Sequence, residues 1–330
     1  MLNFPTHQQP TARIIFQSHD HYQVIYADRS VHQAVLAGRL QLADTLPLIG
    51  DFVSGQFYDH DKFLITELLP RQTLLTRASN YQEQAVAANV TTVFITMSLN
   101  ADFSASRVER YLTLVWDSGA TPVIVLTKAD LEPALLAARQ LELAAIAFGV
   151  PIITTTSTDP VTVQTQLNGY LQPTTTAIFV GSSGVGKSTL LNILAAQQLQ
   201  ATKAVRAGDD KGRHTTTARH LYYLANGAAL IDSPGIRGVG VASSTTAATG
   251  QSFPEITSLA QQCRFNDCQH QQEPGCAVQA AIKRGALSEQ RLIDYRRLLR
   301  ETEYATMNSR QITAAKIKRL VGNKKNLRRH

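Results

Sequence analysis

The chain has 330 residues, 44% of them hydrophobic and 17% charged, with 12 Pro and 19 Gly. That length predicts two or three domains, and that apolar fraction excludes a generally disordered chain. No uninterrupted apolar run of about 18 residues occurs, which excludes a membrane-spanning helix. The opening MLNFPTHQQPTARIIF carries no basic stretch followed by an apolar one, so a cytoplasmic rather than a secreted protein is expected. The net charge of +7 is unevenly placed, because residues 283–330 alone carry 14 Lys and Arg against four acids. A basic tail on a near-neutral body suggests a polyanionic partner met at one end, with a solvated helix face as the alternative.

Residues 11–69 contain five short runs rich in β-branched and aromatic residues: ARIIF, YQVIYA, HQAVLA, GDFVSGQF and KFLITELL. Breaks at His19-Asp20, 27–30, Leu46-Pro47 and 59–61 separate them. Five strands without a long helix predict a small closed barrel of the OB-fold type over residues 1–75. Such barrels often bind single-stranded or structured RNA.

Beyond Arg77 the pattern changes to apolar strands alternating with helices. VTTVFIT (90–96), TPVIVLT (121–127), PIITTT (151–156), TTAIFVG (175–181) and GAALID (227–232) read as strands. Residues 105–118, 133–148 and 187–198 read as helices. This alternation predicts a parallel α/β sheet covered on both faces, spanning 76–241. The link VASSTTAATGQS (241–252) then opens a third segment, 242–330, that is mainly helical up to Leu320.

Gly181-Ser182-Ser183-Gly184-Val185-Gly186-Lys187-Ser188 matches the phosphate-loop pattern G-x-x-x-x-G-K-[ST] at every fixed position. Glycines let backbone amides turn around the phosphates, Lys187 reaches the β- and γ-phosphates, and Ser188 offers a hydroxyl to Mg²⁺. The helix that follows, through Thr189 and beyond, directs its positive end at the anion. Asp232-Ser233-Pro234-Gly235 ends a strand about fifty residues later and fits the D-x-x-G element of GTPases. There Asp232 holds Mg²⁺ through water and the Gly235 amide senses the γ-phosphate.

No base-reading [NT]-K-x-D follows Ile236; Asn323-Lys324-Lys325-Asn326 lacks the acid. Upstream, Thr127-Lys128-Ala129-Asp130 stands directly after the strand PVIVL, and a second strand ends near Ser157, where a short loop could touch the base. The carboxylate of Asp130 suits the N1–H and exocyclic amine of guanine. Threonine at 127, in place of the commoner asparagine, predicts somewhat weaker base affinity. The order is therefore base motif, phosphate loop, D-x-x-G: a circularly permuted GTPase. A small-molecule P-loop ATPase would need no guanine preference and no role for Asp130.

All three cysteines fall within 14 residues, as Cys263-x4-Cys268-x-His270-x5-Cys276. Three thiolates and one imidazole satisfy tetrahedral Zn²⁺ and leave no ligand position open, which predicts a structural ion. Buried cysteines or a redox pair are the competing readings.

With these motifs in this order, together with KGRHTTTAR (211–219), DSPGIR and the cysteine spacing, the chain resembles the RsgA (YjeQ/EngC) family of bacterial small-ribosomal-subunit-dependent GTPases. The resemblance implies GTP hydrolysis stimulated by the 30S subunit, action late in its maturation, and contact of barrel and zinc domain with 16S rRNA. It also makes 211–217 switch I, with Thr216 the candidate among Thr215–Thr217 for Mg²⁺. Ile236 stands where Ras-like enzymes place a water-positioning glutamine, so hydrolysis needs help, and His214 is the catalytic candidate beside Lys187. Nothing in the sequence calls for an obligate dimer, so a monomer is expected. A nucleotide-gated RNA-binding module with incidental hydrolysis is the second reading.

Overall fold

The computed structural model describes residues 2, 4–5, 10–18, 21–43, 45–58, 62–79, 82–100, 102–156, 158–196, 219–232, 252–271 and 273–305. Five strands open the chain: β1 (Thr11–Ser18), β2 (His21–Ile25), β3 (Val31–Leu36), β4 (Phe52–Tyr58) and β5 (Lys62–Leu68). They pair in the order β1-β2-β3-β5-β4, and β4 returns to β1 through Thr11↔Ser54, Ala12↔Val53 and Arg13↔Phe52. The β3–β5 pairing is parallel and the others are antiparallel, so the five expected strands close into the expected barrel. Alternation puts Ala12, Ile14, Val24, Val53, Phe63 and Ile65 inside. A short helix, α1 (Gly38–Gln41), interrupts the connection between β3 and β4.

Along the chain, a two-stranded ribbon, β6 (Leu74–Ser79) with β7 (Gln82–Ala88), comes between the strands of the barrel and those of the α/β part. That sheet is built from β8 (Thr92–Ser98), β9 (Thr121–Thr127), β10 (Ile152–Thr154), β11 (Thr176–Val180), β12 (Arg219–Tyr223) and β13 (Ala229–Asp232). Its order is β10-β9-β8-β11-β13-β12, parallel throughout except for β12, which runs antiparallel to β13. The helices are α2 (Ala105–Asp117), α3 (Leu136–Ile146) after one 3-10 turn at Pro133–Leu135, α4 (Pro160–Asn168) and α5 (Lys187–Ala196). Strands buried on both faces read as continuous apolar runs, as in VFITM and AIFV. Phe94, Val123, Val125, Phe179 and Leu230 share one core with Leu190 and Leu194 of α5 and Val163 and Leu167 of α4. The alternating residues of β8 and β9 face the other side, where α2 packs.

The sheet does not stop at β12. Phe16↔His220 and Gln17↔Arg219 join β12 to β1, so barrel and α/β part share one continuous sheet. Arg13, buried, fastens this junction by donating to Gly50 O, the Tyr223 hydroxyl and the Thr176 hydroxyl at 3.1, 3.1 and 2.7 Å. By spatial clustering the chain forms two compact units, 1–76 with 85–238, and 77–84 with 239–330.

In the second unit, α6 (Pro254–Ala260), α7 (Ala277–Lys283) and α8 (Glu289–Ala305) enclose a small core of Phe253, Ile256, Val278, Ala281, Leu287, Leu292 and Leu298. The expected helix beyond residue 305 lies outside the described residues.

Candidate nucleotide site and metal centre

The carboxyl ends of the parallel strands meet at one edge of the sheet, where open α/β sheets bind their ligands. β8 ends at Ser98, β9 at Thr127, β11 at Val180 and β13 at Asp232. The phosphate loop leaves β11 in a conformation that demands glycine. Gly181 has φ +146°, and a Cβ there would lie 2.3 Å from the Thr96 carbonyl oxygen. Gly184 and Gly186 are also left-handed, at φ +75° and +107°. Val185 is buried and anchors the loop, while Ser183, Gly184, Ser188 and Thr189 are exposed. Lys187 begins α5 and folds back, its ammonium donating to Gly181 O at 2.8 Å and Ser182 O at 2.6 Å. Those carbonyls hold the ammonium at the mouth of the loop.

Thr127-Lys128-Ala129-Asp130 turns directly beside this loop. The buried Thr127 hydroxyl donates to Val185 O at 2.6 Å, across 58 residues of sequence. Lys128 is left-handed at φ +57°, and the Ala129 amide donates to Thr155 O at 3.3 Å. The turn closes through the Leu131 amide on Lys128 O at 3.1 Å, leaving Asp130 exposed at its tip. Between the two loops opens a cleft of about 70 Å³, walled by Thr127 and Lys128, by Thr155 and Thr156, by Gly186, and by the Thr189–Leu190–Ile193 face of α5. Thr155, Thr156, Leu190 and Ile193 are additions to the motif residues. Asp130 and the three loop residues Ser182–Gly184 are outside the lining of this cleft.

Asp232 is half-buried at the end of β13, opposite His220 of β12. Burial raises its carboxyl above the usual 3.8, with the His220 charge opposing the shift. A divalent cation at this edge would reverse that preference by favouring the carboxylate. Of the remaining expected site residues, Ser157, His214, Thr216 and Gly235 lie outside the described residues.

One contact had no counterpart in the motifs. Arg107, on the first turn of α2, donates through Nη1 to the Ser182 hydroxyl at 2.7 Å. The only sequence signal was a cation in a first turn, where the helix dipole disfavours positive charge.

A profile of the RsgA GTPase family matches residues 68–242. The chain belongs to the RsgA GTPase family. It is therefore a GTPase, of circularly permuted motif order. It is 46% identical to a small ribosomal subunit biogenesis GTPase RsgA 2 of Lactiplantibacillus plantarum, over 97% of this chain and 91% of that one. It is 40% identical to the RsgA of Syntrophotalea carbinolica, also named a small ribosomal subunit biogenesis GTPase, over 90% of this chain and 85% of that one. Two crystal structures share its fold at a TM-score of 0.65: YjeQ from Thermotoga maritima, 23% identical over 89% of this chain and 98% of that one, and YloQ, described as a circularly permuted GTPase, 24% identical over 93% and 99%. Among the described residues, no helix is long and apolar enough to cross a membrane.

The second unit of this RsgA-family chain brings together Cys263, Cys268, His270 and Cys276, their ligand atoms all within 4.8 Å of one another. Cys263 Sγ lies 3.6 Å from His270 Nδ1 and 3.9 Å from Cys276 Sγ, and Cys276 Sγ lies 3.5 Å from Nδ1. The edges of a tetrahedron with ordinary zinc–sulfur and zinc–nitrogen bonds are about 3.8 Å for S···S and about 3.6 Å for S···N. These donors fit a tetrahedral metal ion. The surrounding backbone is shaped to present them. His270 adopts φ +58°, and its carbonyl accepts from Gln279 Nε2 at 2.5 Å and from Arg296. Cys276 caps α7, its sulfur accepting the Gln279 amide at 3.4 Å.

Proposed function

We propose that this GTPase is stimulated by the 30S ribosomal subunit, acts late in that subunit's maturation, and contacts 16S rRNA. The observation that carries the reading is the cleft shared by Thr127 and Lys128 with Gly186 and Thr189, which supports one nucleotide bridging both motifs. The printed names of the relatives supply the small-subunit context. The amides of Gly181–Gly186 wrap the phosphates, and Lys187 exchanges the Gly181 and Ser182 carbonyls for the β- and γ-phosphates. The dipole of α5 favours the same charge. Thr127 buttresses the loop, Lys128 and Ala129 line the base side, and Asp130 accepts the guanine N–H groups. Ser188 and Asp232, the latter through water, are positioned to hold Mg²⁺, which supplies charge neutralisation of the phosphates. Ser157 as a base contact, Thr216 as the switch I magnesium residue, Gly235 as the γ-phosphate sensor and His214 as the helper for hydrolysis complete this assignment.

The metal of the second unit is taken as one structural Zn²⁺ on Cys263, Cys268, His270 Nδ1 and Cys276. The barrel of residues 1–75 and the zinc-binding segment 242–330, with its basic end, are the two rRNA-contacting parts around a G domain of 76–241. The chain leaving Gly235 runs straight into the zinc-binding segment, so loss of the γ-phosphate is suited to trigger release from the subunit. The protein works in the cytoplasm as a monomer. The test is phosphate release from GTP and from ATP, with and without purified 30S subunits in matched salt. Strong stimulation of GTP hydrolysis alone is expected; equal, unstimulated turnover of both nucleotides would overturn the reading.

A further inference from the structure

The described part of the nucleotide edge carries a further cation besides Lys187 and Lys128. Arg107 reaches the phosphate loop from α2, 75 residues away in sequence, and its Nη1 lies 2.7 Å from the Ser182 hydroxyl. The same nitrogen donates to the Asp102 carboxylate at 3.0 Å and to the Asp102 carbonyl at 3.3 Å. Its helix starts at the Ser104 cap, whose hydroxyl accepts the Arg107 amide, so the cation sits in the first turn. Positive charge there opposes the helix dipole. Asp102 offsets that cost, and the pair is about one-third exposed rather than buried. The arrangement is not explained by packing or helix stability.

Ser182 lies at a particular end of the loop. The Lys187 ammonium, whose part in a phosphate loop is to reach the β- and γ-phosphates, sits 2.6 Å from the Ser182 carbonyl. Ser182, which Arg107 holds, thus lies with Gly181 at the end of the loop that Lys187 shares with the β- and γ-phosphates. We propose that Arg107 is a positioning residue for that end of the phosphate loop, acting through the Ser182 hydroxyl. Its substrate is the γ-phosphate geometry of GTP rather than the nucleotide as a whole. The inference rests on the assignment of Gly181–Ser188 to GTP. It adds a support for hydrolysis from outside the motifs, in an enzyme whose Ile236 cannot orient water.

The experiment compares the full-length wild type with Arg107→Ala, Ser182→Ala, the double variant and Arg107→Lys. Affinities for GDP and a non-hydrolysable GTP analogue are measured by titration, and kcat/KM for GTP is followed with 30S subunits present. Arg107→Ala is expected to lower kcat/KM by about 10- to 100-fold, the range for slight misplacement of reacting groups. GDP affinity should stay within about twofold, and the melting temperature should hold or rise because an unfavourable dipole contact is removed. Ser182→Ala should match it, and the double variant should lose no more than either single one. Because one nitrogen makes every contact to the described residues, with no bidentate fork among them, Arg107→Lys should restore most of the loss. Equal loss of GDP and GTP-analogue binding would overturn the proposal in favour of a merely structural role. So would a normal Ser182→Ala enzyme beside a crippled Arg107→Ala one, which places Arg107 on something other than Ser182. Failure of the wild type to bind either nucleotide would instead sink the GTP assignment itself.

Discussion

The phosphate loop and the Cys₃His cluster are both built on tight left-handed turns, yet they obtain their shape from opposite sources. The loop at Gly181–Lys187 is held by a large core before any ligand arrives. β11 is buried along its whole length, Val185 is packed, and Thr127 hydrogen-bonds the loop from the end of β9, two strands away. The cluster is held by three short helices around a core of eight buried residues, one of which is the ligand Cys276 itself. A ligand that meets a finished site contributes its binding energy to binding. A metal that completes an unfinished site contributes it to folding. Nucleotide exchange is therefore expected to leave the first unit stable, whereas loss of the proposed metal is expected to destabilise the second.

Metal removal gives the largest expected effect and the sharpest test of that contrast. A structural zinc site of this kind is worth about 10 kcal/mol or more at neutral pH. Stripping the ion with a chelator, or substituting Cys276→Ser, should unfold α6–α8. Amide exchange across 254–305 should then lose its protection, while GDP affinity changes by less than about twofold. A second unit that keeps its protection without metal would break the comparison, since its core would then suffice alone.

Within the first unit the contrast turns on Thr127. If the loop is finished by its neighbours, removing the neighbour's hydrogen bond must be felt in phosphate binding. Thr127→Val keeps the shape but leaves the Val185 carbonyl without its 2.6 Å donor. An unsatisfied buried carbonyl costs about 1–3 kcal/mol, which corresponds to roughly tenfold or more in affinity. GDP and GTP should weaken together, with guanine-over-adenine preference retained, and Thr127→Ser should restore both. Lost base preference with normal phosphate affinity would show that residue 127 reads the base, as its motif position alone suggests.

How much of this was legible beforehand follows from the range of each interaction. The phosphate loop, the barrel alternation and the cysteine spacing are local patterns, and each appears where the sequence puts it. The helix α4 was overlooked because PVTVQTQLN has little apolar periodicity, although Asp159 before Pro160 is a helix-start signal and does cap the Thr162 amide at 3.1 Å. The 133–148 segment begins with a 3-10 turn at its proline rather than a full helix. Strand β12 pairs locally with β13 through Tyr223↔Ala229, but its other side is taken by β1, some 200 positions away, through Phe16↔His220. Arg107 and Thr127 take their roles from contacts across 75 and 58 residues. No window of sequence contains such pairs.

The smallest effect expected is one of pH, and it carries opposite signs in the two states of the finished site. Burial raises the Asp232 carboxyl above 3.8, so the folded chain holds that proton more tightly than the unfolded chain. Between 3.8 and the raised value, the Asp232 contribution to stability without nucleotide must therefore fall as pH rises. Magnesium binding needs the carboxylate, so magnesium-dependent nucleotide affinity must rise over the same interval. Well above it, both dependences vanish. Asp232→Asn should abolish the two slopes together, leaving magnesium-independent GDP binding nearly unchanged. Melting curves and GDP titrations with and without magnesium, both from pH 4 upward, supply the comparison. A magnesium-dependent slope that survives Asp232→Asn would move the metal contact to another group at the same sheet edge. The preformed loop would then stand without its third strand end.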